Sequence, residues 1–147
     1  MNVESYGTLD AGTGPALEQA VEEAERLGYD LRAHVSRSLR GVDLSDADLV
    51  LGFERSHVAA AVVDSGAAPE RSFTLPELVG LIAPAANPRA AIAQAAASRP
   101  SRTSMLMPEV EDPYGKPAAL QRQIADDVCD LTRRLATVLW PGERGKG

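Results

Sequence analysis

The sequence is poor in the residues that most often build reactive centres. Cysteine occurs once, at Cys129. One cysteine excludes a disulfide framework within the chain and any cysteine-rich metal site. Histidine occurs twice, as His34 and His57, and no metal-ligand spacing involves either, so no metal is expected. Aromatic residues make up only 4 %, which points to a core of Leu, Val and Ala carried on helices. No apolar run approaches the roughly 20 residues that a membrane helix needs. The start, Met1-Asn2-Val3-Glu4-Ser5, lacks the basic-then-apolar pattern of a signal peptide, so a cytoplasmic location is expected. Basic residues are the minority, 15 against 21 acidic, for a net charge of −6 at pH 7. That balance argues against a nucleic-acid partner, which usually selects a basic surface. It leaves room for a local basic pocket around a small anion.

What is present fits one globular domain. The chain has 147 residues and is 44 % hydrophobic, enough to bury a core without staples. Residues 1–142 read as that domain and 143–147 as a tail. Short strand signals alternate with longer helical ones. Val3 to Tyr6 reads as a strand closed by Gly7. Gly12-Thr13-Gly14-Pro15 reads as a turn and helix start, with Pro15 at the first helical position. Leu17, Ala20, Val21, Ala24 and Leu27 then share one helical face, and Gly28 is the stop. Leu49 to Leu51, bounded by Asp48 and Gly52, has the pattern of a buried parallel strand.

Further along, Ser56 to Val63 reads as helix and Arg71 to Thr74 as a strand. Thr74-Leu75-Pro76-Glu77 spells a capping box that opens a helix through Ile82. Asn87-Pro88 opens another, running to about Ser98, and the stretch from Ser98 to Pro108 is loop-like. Leu120, Ile124, Val128, Leu131, Leu135 and Val138 form the stripe of a long helix from Pro117 to Leu139, closed by Trp140-Pro141-Gly142. The alternation predicts an α/β three-layer sandwich around a small, mostly parallel sheet.

Few residues stand out chemically. Asp112 precedes Pro113, which pushes its backbone away from helical geometry and lets a carboxylate project from a turn. Such a carboxylate suits a general acid, although an Asp-Pro pair is first of all a turn opener. His34-Val35-Ser36-Arg37 sets an imidazole, a hydroxyl and a guanidinium side by side, and by itself reads as a polar loop. Ser5-Tyr6-Gly7-Thr8 ends the first strand signal, where α/β sheets bind ligands. His57 reads as a helix-start residue. Gly7 to Gly14 is glycine-rich but lacks the endings of the nucleotide loops. Cys129 does not fit the nucleophile of a cysteine phosphatase, which requires Cys, five residues, then Arg around a helix N-terminus. The sixth residue after it is Leu135, and the segment is mid-helix, so Cys129 is expected to be structural.

Taken in order, these segments resemble the low-molecular-weight protein tyrosine phosphatase family. Val3-Glu4-Ser5-Tyr6-Gly7-Thr8 is similar to the family's Val-x-Ser-Ala-Gly-Thr. His34-Val35-Ser36-Arg37-Ser38-Leu39 is similar to its His-x-Ala/Ser-Arg-x-Leu. Asp46 to Leu51, Glu54-Arg55-Ser56-His57, and Phe73 to Leu78 follow its third and fourth strands. Asp112-Pro113-Tyr114-Gly115 is similar to its general-acid loop. The resemblance covers residues 3–78 and 109–139.

The resemblance implies hydrolysis of phosphotyrosine or another aryl phosphate through a phosphocysteine intermediate, with no metal or cofactor. It implies Asp112 as general acid, Tyr114 as a ring against the substrate phenol, and Ser5 and His34 as polar supports of the phosphate loop. The implied partner is a phosphotyrosine protein or a small aryl phosphate, with no nucleic acid and no membrane. The family's opening strand and its Cys-x5-Arg loop have no counterpart here. The expectation is therefore an N-terminally truncated member, lacking the central strand of the sheet and inactive alone. An arsenate reductase-like protein on the same fold, and a non-catalytic binding relative offering open sheet edges, are the alternatives.

Overall fold

A computed structural model describes residues 2–9, 13–100 and 107–142. Its centre is one βαβ unit. Strand β1 (Val50–Gly52) leads into helix α2 (Arg55–Ser65), which returns the chain through a 3-10 turn at Pro69–Arg71 to strand β2 (Ser72–Thr74). The two strands are parallel, with Val50 opposite Ser72, Leu51 opposite Phe73 and Gly52 opposite Thr74. Helix α2 packs on both. Gly66 ends α2 in the left-handed conformation at φ 71°, which glycine adopts without a Cβ penalty.

Helix α3 (Leu75–Leu81) follows β2 without a break because Thr74 caps it. The Thr74 hydroxyl accepts the Glu77 N–H at 3.2 Å, and the Glu77 carboxylate accepts the Thr74 N–H at 3.3 Å. Helix α4 (Pro88–Ala97) opens the same way, with the Asn87 side chain accepting the Ala90 N–H at 2.9 Å and proline in the first turn. Helix α5 (Ala118–Leu139) is the longest element and packs on both. Phe73, Leu75 and Leu78 meet Ala91, Ile92 and Ala95 of α4 and Leu135 and Leu139 of α5 in one apolar cluster. Phe73 and Leu78 are fully buried.

Arg99 locks this cluster at its edge. Its Nε donates to Glu77 Oε1 at 2.9 Å, and its terminal nitrogens donate to the carbonyls of Pro69 (2.8 Å) and Ser72. Its guanidinium lies 3.9 Å from the centre of the Phe73 ring. Cys129 is buried in mid-α5, with Sγ 3.9 Å from the Tyr29 hydroxyl, in keeping with a structural thiol.

Three expectations need correction. Val3 to Tyr6 is not a strand; only Gly7 forms a parallel bridge, to Ser38. An alternating segment becomes a strand only where a second backbone offers a ladder, and residues 3–6 have none among the described residues. Pro15 does not open a helix. It bridges Val35 in antiparallel fashion, and helix α1 (Glu18–Arg26) begins three residues later. Third, β1 is not fully buried, since Leu51 remains 43 % exposed. More broadly, no described residue before Gly52 is buried. Helix α1 turns Val21 and Ala24 partly inward and is tied to α5 by Arg26–Asp126 (2.6 Å) and Arg122–Glu23 (3.4 Å) ion pairs. Gly12, the middle of the Ser98–Pro108 loop (101–106) and the tail 143–147 lie outside the described residues.

Candidate active site

The carboxyl ends of the two parallel strands converge on one segment, residues 108–112. Parallel sheets leave loops and helix N-termini at that end, and ligands of α/β folds collect there. Three consecutive residues fasten the segment. The Pro108 carbonyl accepts the Thr74 hydroxyl at 2.6 Å, at the end of β2. The Val110 N–H donates to the Phe53 carbonyl at 2.8 Å, just past β1. Between them, Glu109 Oε1 accepts both the backbone N–H (2.7 Å) and the Nε (3.0 Å) of Arg55, the first residue of α2. The Arg55 backbone N–H, followed by its side chain, holds the Glu109 carboxyl below the usual glutamate value.

Asp112 and Pro113 follow directly. Asp112 Oδ1 accepts the Tyr114 N–H at 2.9 Å, an Asx turn that fixes the carboxylate on its own loop. Asp112 Oδ2 has no hydrogen-bond partner among the described residues, so one oxygen is available for proton transfer. Gly115 completes the turn at φ 71°. Lys116 pairs with Glu111 at 2.5 Å, and that bond raises the ammonium above its ordinary value. A cavity of about 490 Å³ is lined by Glu54, Glu109, Val110, Glu111, Asp112 and Lys116. Its rim carries four carboxylates and one ammonium.

The four residues singled out in the sequence divide into two pairs. Asp112 and Tyr114 are joined by the Asx turn, and the Tyr114 ring is 75 % exposed. Ser5 is exposed and His34 half-buried. They sit on the two segments linked by the Gly7–Ser38 bridge, where the Gly7 N–H donates to the Arg37 carbonyl at 2.8 Å and the Leu39 N–H to the Gly7 carbonyl at 2.9 Å. Neither makes a side-chain hydrogen bond to Asp112 or Tyr114 among the described residues. His57 is a helix-start residue, its Nδ1 accepting the Glu54 N–H at 3.3 Å. No group of three or more His, Cys, Asp or Glu side chains suited to a metal occurs among the described residues. Sequence reasoning missed Glu109, Arg55 and Thr74 as fasteners of the 108–112 segment. The ties span 34 and 54 residues of chain, and no local motif announces them.

The fold is thus α/β, with a parallel βαβ unit and an Asp-Pro-Tyr-Gly loop at its strand ends. No family model matches the chain, and no curated protein matches it. Solved structures do. A low molecular weight protein tyrosine phosphatase from T. tengcongensis is 29 % identical and superimposes with a TM-score of 0.65, over 90 % of this chain and 74 % of that one. A YwlE mutant from Bacillus subtilis is 26 % identical with a TM-score of 0.65, over 92 % of this chain and 75 % of that one. The chain is thus similar to low-molecular-weight protein tyrosine phosphatases in fold and in sequence together. No described helix is long and apolar enough to cross a membrane.

Proposed function

We propose that this chain carries the acid half of a low-molecular-weight phosphatase site, acting on phosphotyrosine or another aryl phosphate in the cytoplasm. Asp112 is the general acid. As the thiolate of a Cys-x5-Arg loop, which these residues do not supply, bonds to phosphorus and the phosphorus–oxygen bond breaks, Asp112 gives its proton to the leaving aryl oxygen. It then takes a proton from the water that attacks phosphorus and releases the thiolate as phosphate forms. Tyr114 offers its ring to the phenol of the substrate. Ser5 and His34 support the phosphate loop. The observation that carries this reading is the fastening of residues 108–112 across the ends of both strands, which sets Asp112 on the rim of a cavity.

These 147 residues do not turn over phosphate esters by themselves. The thiol of Cys129 is closed inside α5, away from any helix N-terminus that would hold a phosphate. The test compares p-nitrophenyl phosphate hydrolysis by this chain with that of the same chain preceded by a strand, a Cys-x5-Arg loop and a helix of the kind the resemblance implies. The extended chain is expected to hydrolyse the ester and to lose about 10²–10⁴-fold in kcat on Asp112→Asn. Asp112-dependent turnover by the 147-residue chain, or indifference of the extended chain to that substitution, refutes the reading.

A further inference from the structure

We propose that Glu109 is a positioning residue for Asp112, acting through its bridge to Arg55. The inference rests on the reading of Asp112 as the general acid and adds the device that orients it. Three carboxylates, Glu109, Glu111 and Asp112, line the same cavity within four residues of chain. Two are satisfied locally: Glu111 by Lys116, and Asp112 by the Tyr114 N–H. Glu109 alone of the three reaches another element, bonding the backbone and the side chain of Arg55 with one oxygen.

The neighbouring ties, Pro108 to Thr74 and Val110 to Phe53, are made by the main chain of the segment. They fix its track over the strand ends. A side-chain anchor between them fixes its rotation about that track, and this rotation sets where the next turn, Asp112 to Gly115, points. Arg55 is the first residue of α2, and the Glu109 oxygen takes one of the N–H groups that a helix start leaves without an internal acceptor. The acid loop is therefore referenced to the βαβ unit. The pairing also keeps the Glu109 charge engaged with a cation. Unpaired, it would share the cavity rim with Glu54, Glu111 and Asp112.

The test is amide hydrogen exchange by NMR on the 147-residue chain, with Glu109→Ala and Glu109→Gln. The Tyr114 amide bonds the Asp112 carboxylate, so its exchange reports where Asp112 stands. In Glu109→Ala the Val110 and Tyr114 amides are expected to exchange about tenfold faster, the worth of a charge-assisted bond at a partly exposed site. The Leu78 amide in the core should not change. Glu109→Gln keeps the acceptor oxygen and should bring both amides back to within about threefold of the native rates. Unchanged exchange at Tyr114 in Glu109→Ala overturns the proposal. So does equal acceleration at Leu78, which would mean general loosening, and so does a glutamine variant no better than the alanine one. None of these readouts involves turnover, so the bridge can fail while Asp112 remains the acid, and the reverse.

Discussion

Replacing Arg99 with alanine should be among the costliest single changes outside the apolar cluster. The guanidinium donates two bonds to Glu77, at 2.9 and 3.5 Å, donates to the carbonyls of Pro69 and Ser72, and lies over Phe73. Its loss leaves the Glu77 side chain, 9 % exposed, without its cation. Breaking a fully buried pair by removing one partner costs about 3–5 kcal/mol. Arg99 keeps 26 % of its side chain in solvent, so the lower end applies, about 3 kcal/mol. Against a total of roughly 5–15 kcal/mol for a domain, that is a large fraction. It corresponds to a fall in Tm on the order of 10 °C at this chain length.

Arg99→Lys keeps the charge but loses the planar fork, and should recover roughly half of the loss. The assay is urea unfolding followed by far-UV circular dichroism, with the slope required to stay constant so that the midpoint reports stability. Combining Arg99→Ala with Glu77→Gln should cost less than the sum of the two, because the second change removes the charge that the first leaves stranded. A midpoint for Arg99→Ala within about 0.5 kcal/mol of the native value, or strict additivity of the pair, would refute the argument.

Other expectations are briefer. A Cβ on Gly52 would sit 3.0 Å from His57 Cβ and from Val58 Cγ2 and 3.1 Å from the Glu54 carbonyl. Gly52→Ala should therefore push α2 off β1 and cost about 1–3 kcal/mol by thermal melting. Thr74→Val preserves shape but leaves the Glu77 N–H without its cap and the Pro108 carbonyl without a donor. A loss of about 1–2 kcal/mol is expected, and a neutral result would mean the acid segment is not held by β2. Stability should also fall in acid. The Glu109 pKa is lowered by folding, so its contribution is complete above the unfolded value of 4.5 and disappears as pH drops through the folded value. Urea midpoints measured downward from pH 5 should decline more steeply for the native chain than for Glu109→Gln; parallel declines would contradict the bridge.

Local order was legible in the sequence where the cause is itself local. The capping box at Thr74 and Glu77, the Asn87-Pro88 opening and the stripe along α5 each need only a few neighbouring residues, and all three are in place. Val3 to Tyr6 and Pro15 failed for the opposite reason. A strand is completed by a partner elsewhere in the chain, and Pro15 found one in Val35, leaving α1 to start at Glu18. The same holds for the candidate site. Asp112 stands out because proline follows it, whereas the fasteners at Phe53, Arg55 and Thr74 come from distant chain and carry no local mark.

The absence of any buried residue among the described positions before Gly52 has a consequence for how this molecule comes apart. The segment before β1 leans on the rest through ion pairs and scattered hydrogen bonds, its one-residue bridges being internal to it, and such contacts open in small, separate fluctuations. The remainder is knit around Phe73, Leu78 and Leu135 and opens only as a whole. Two of the three tyrosines, Tyr6 and Tyr29, lie in the outer layer, Tyr114 lies in the inner one, and Trp140 packs against the cluster. With Tyr114 replaced by Phe, the tyrosine signal should depart under denaturant before the tryptophan signal. A single transition would then misstate the stability of both layers.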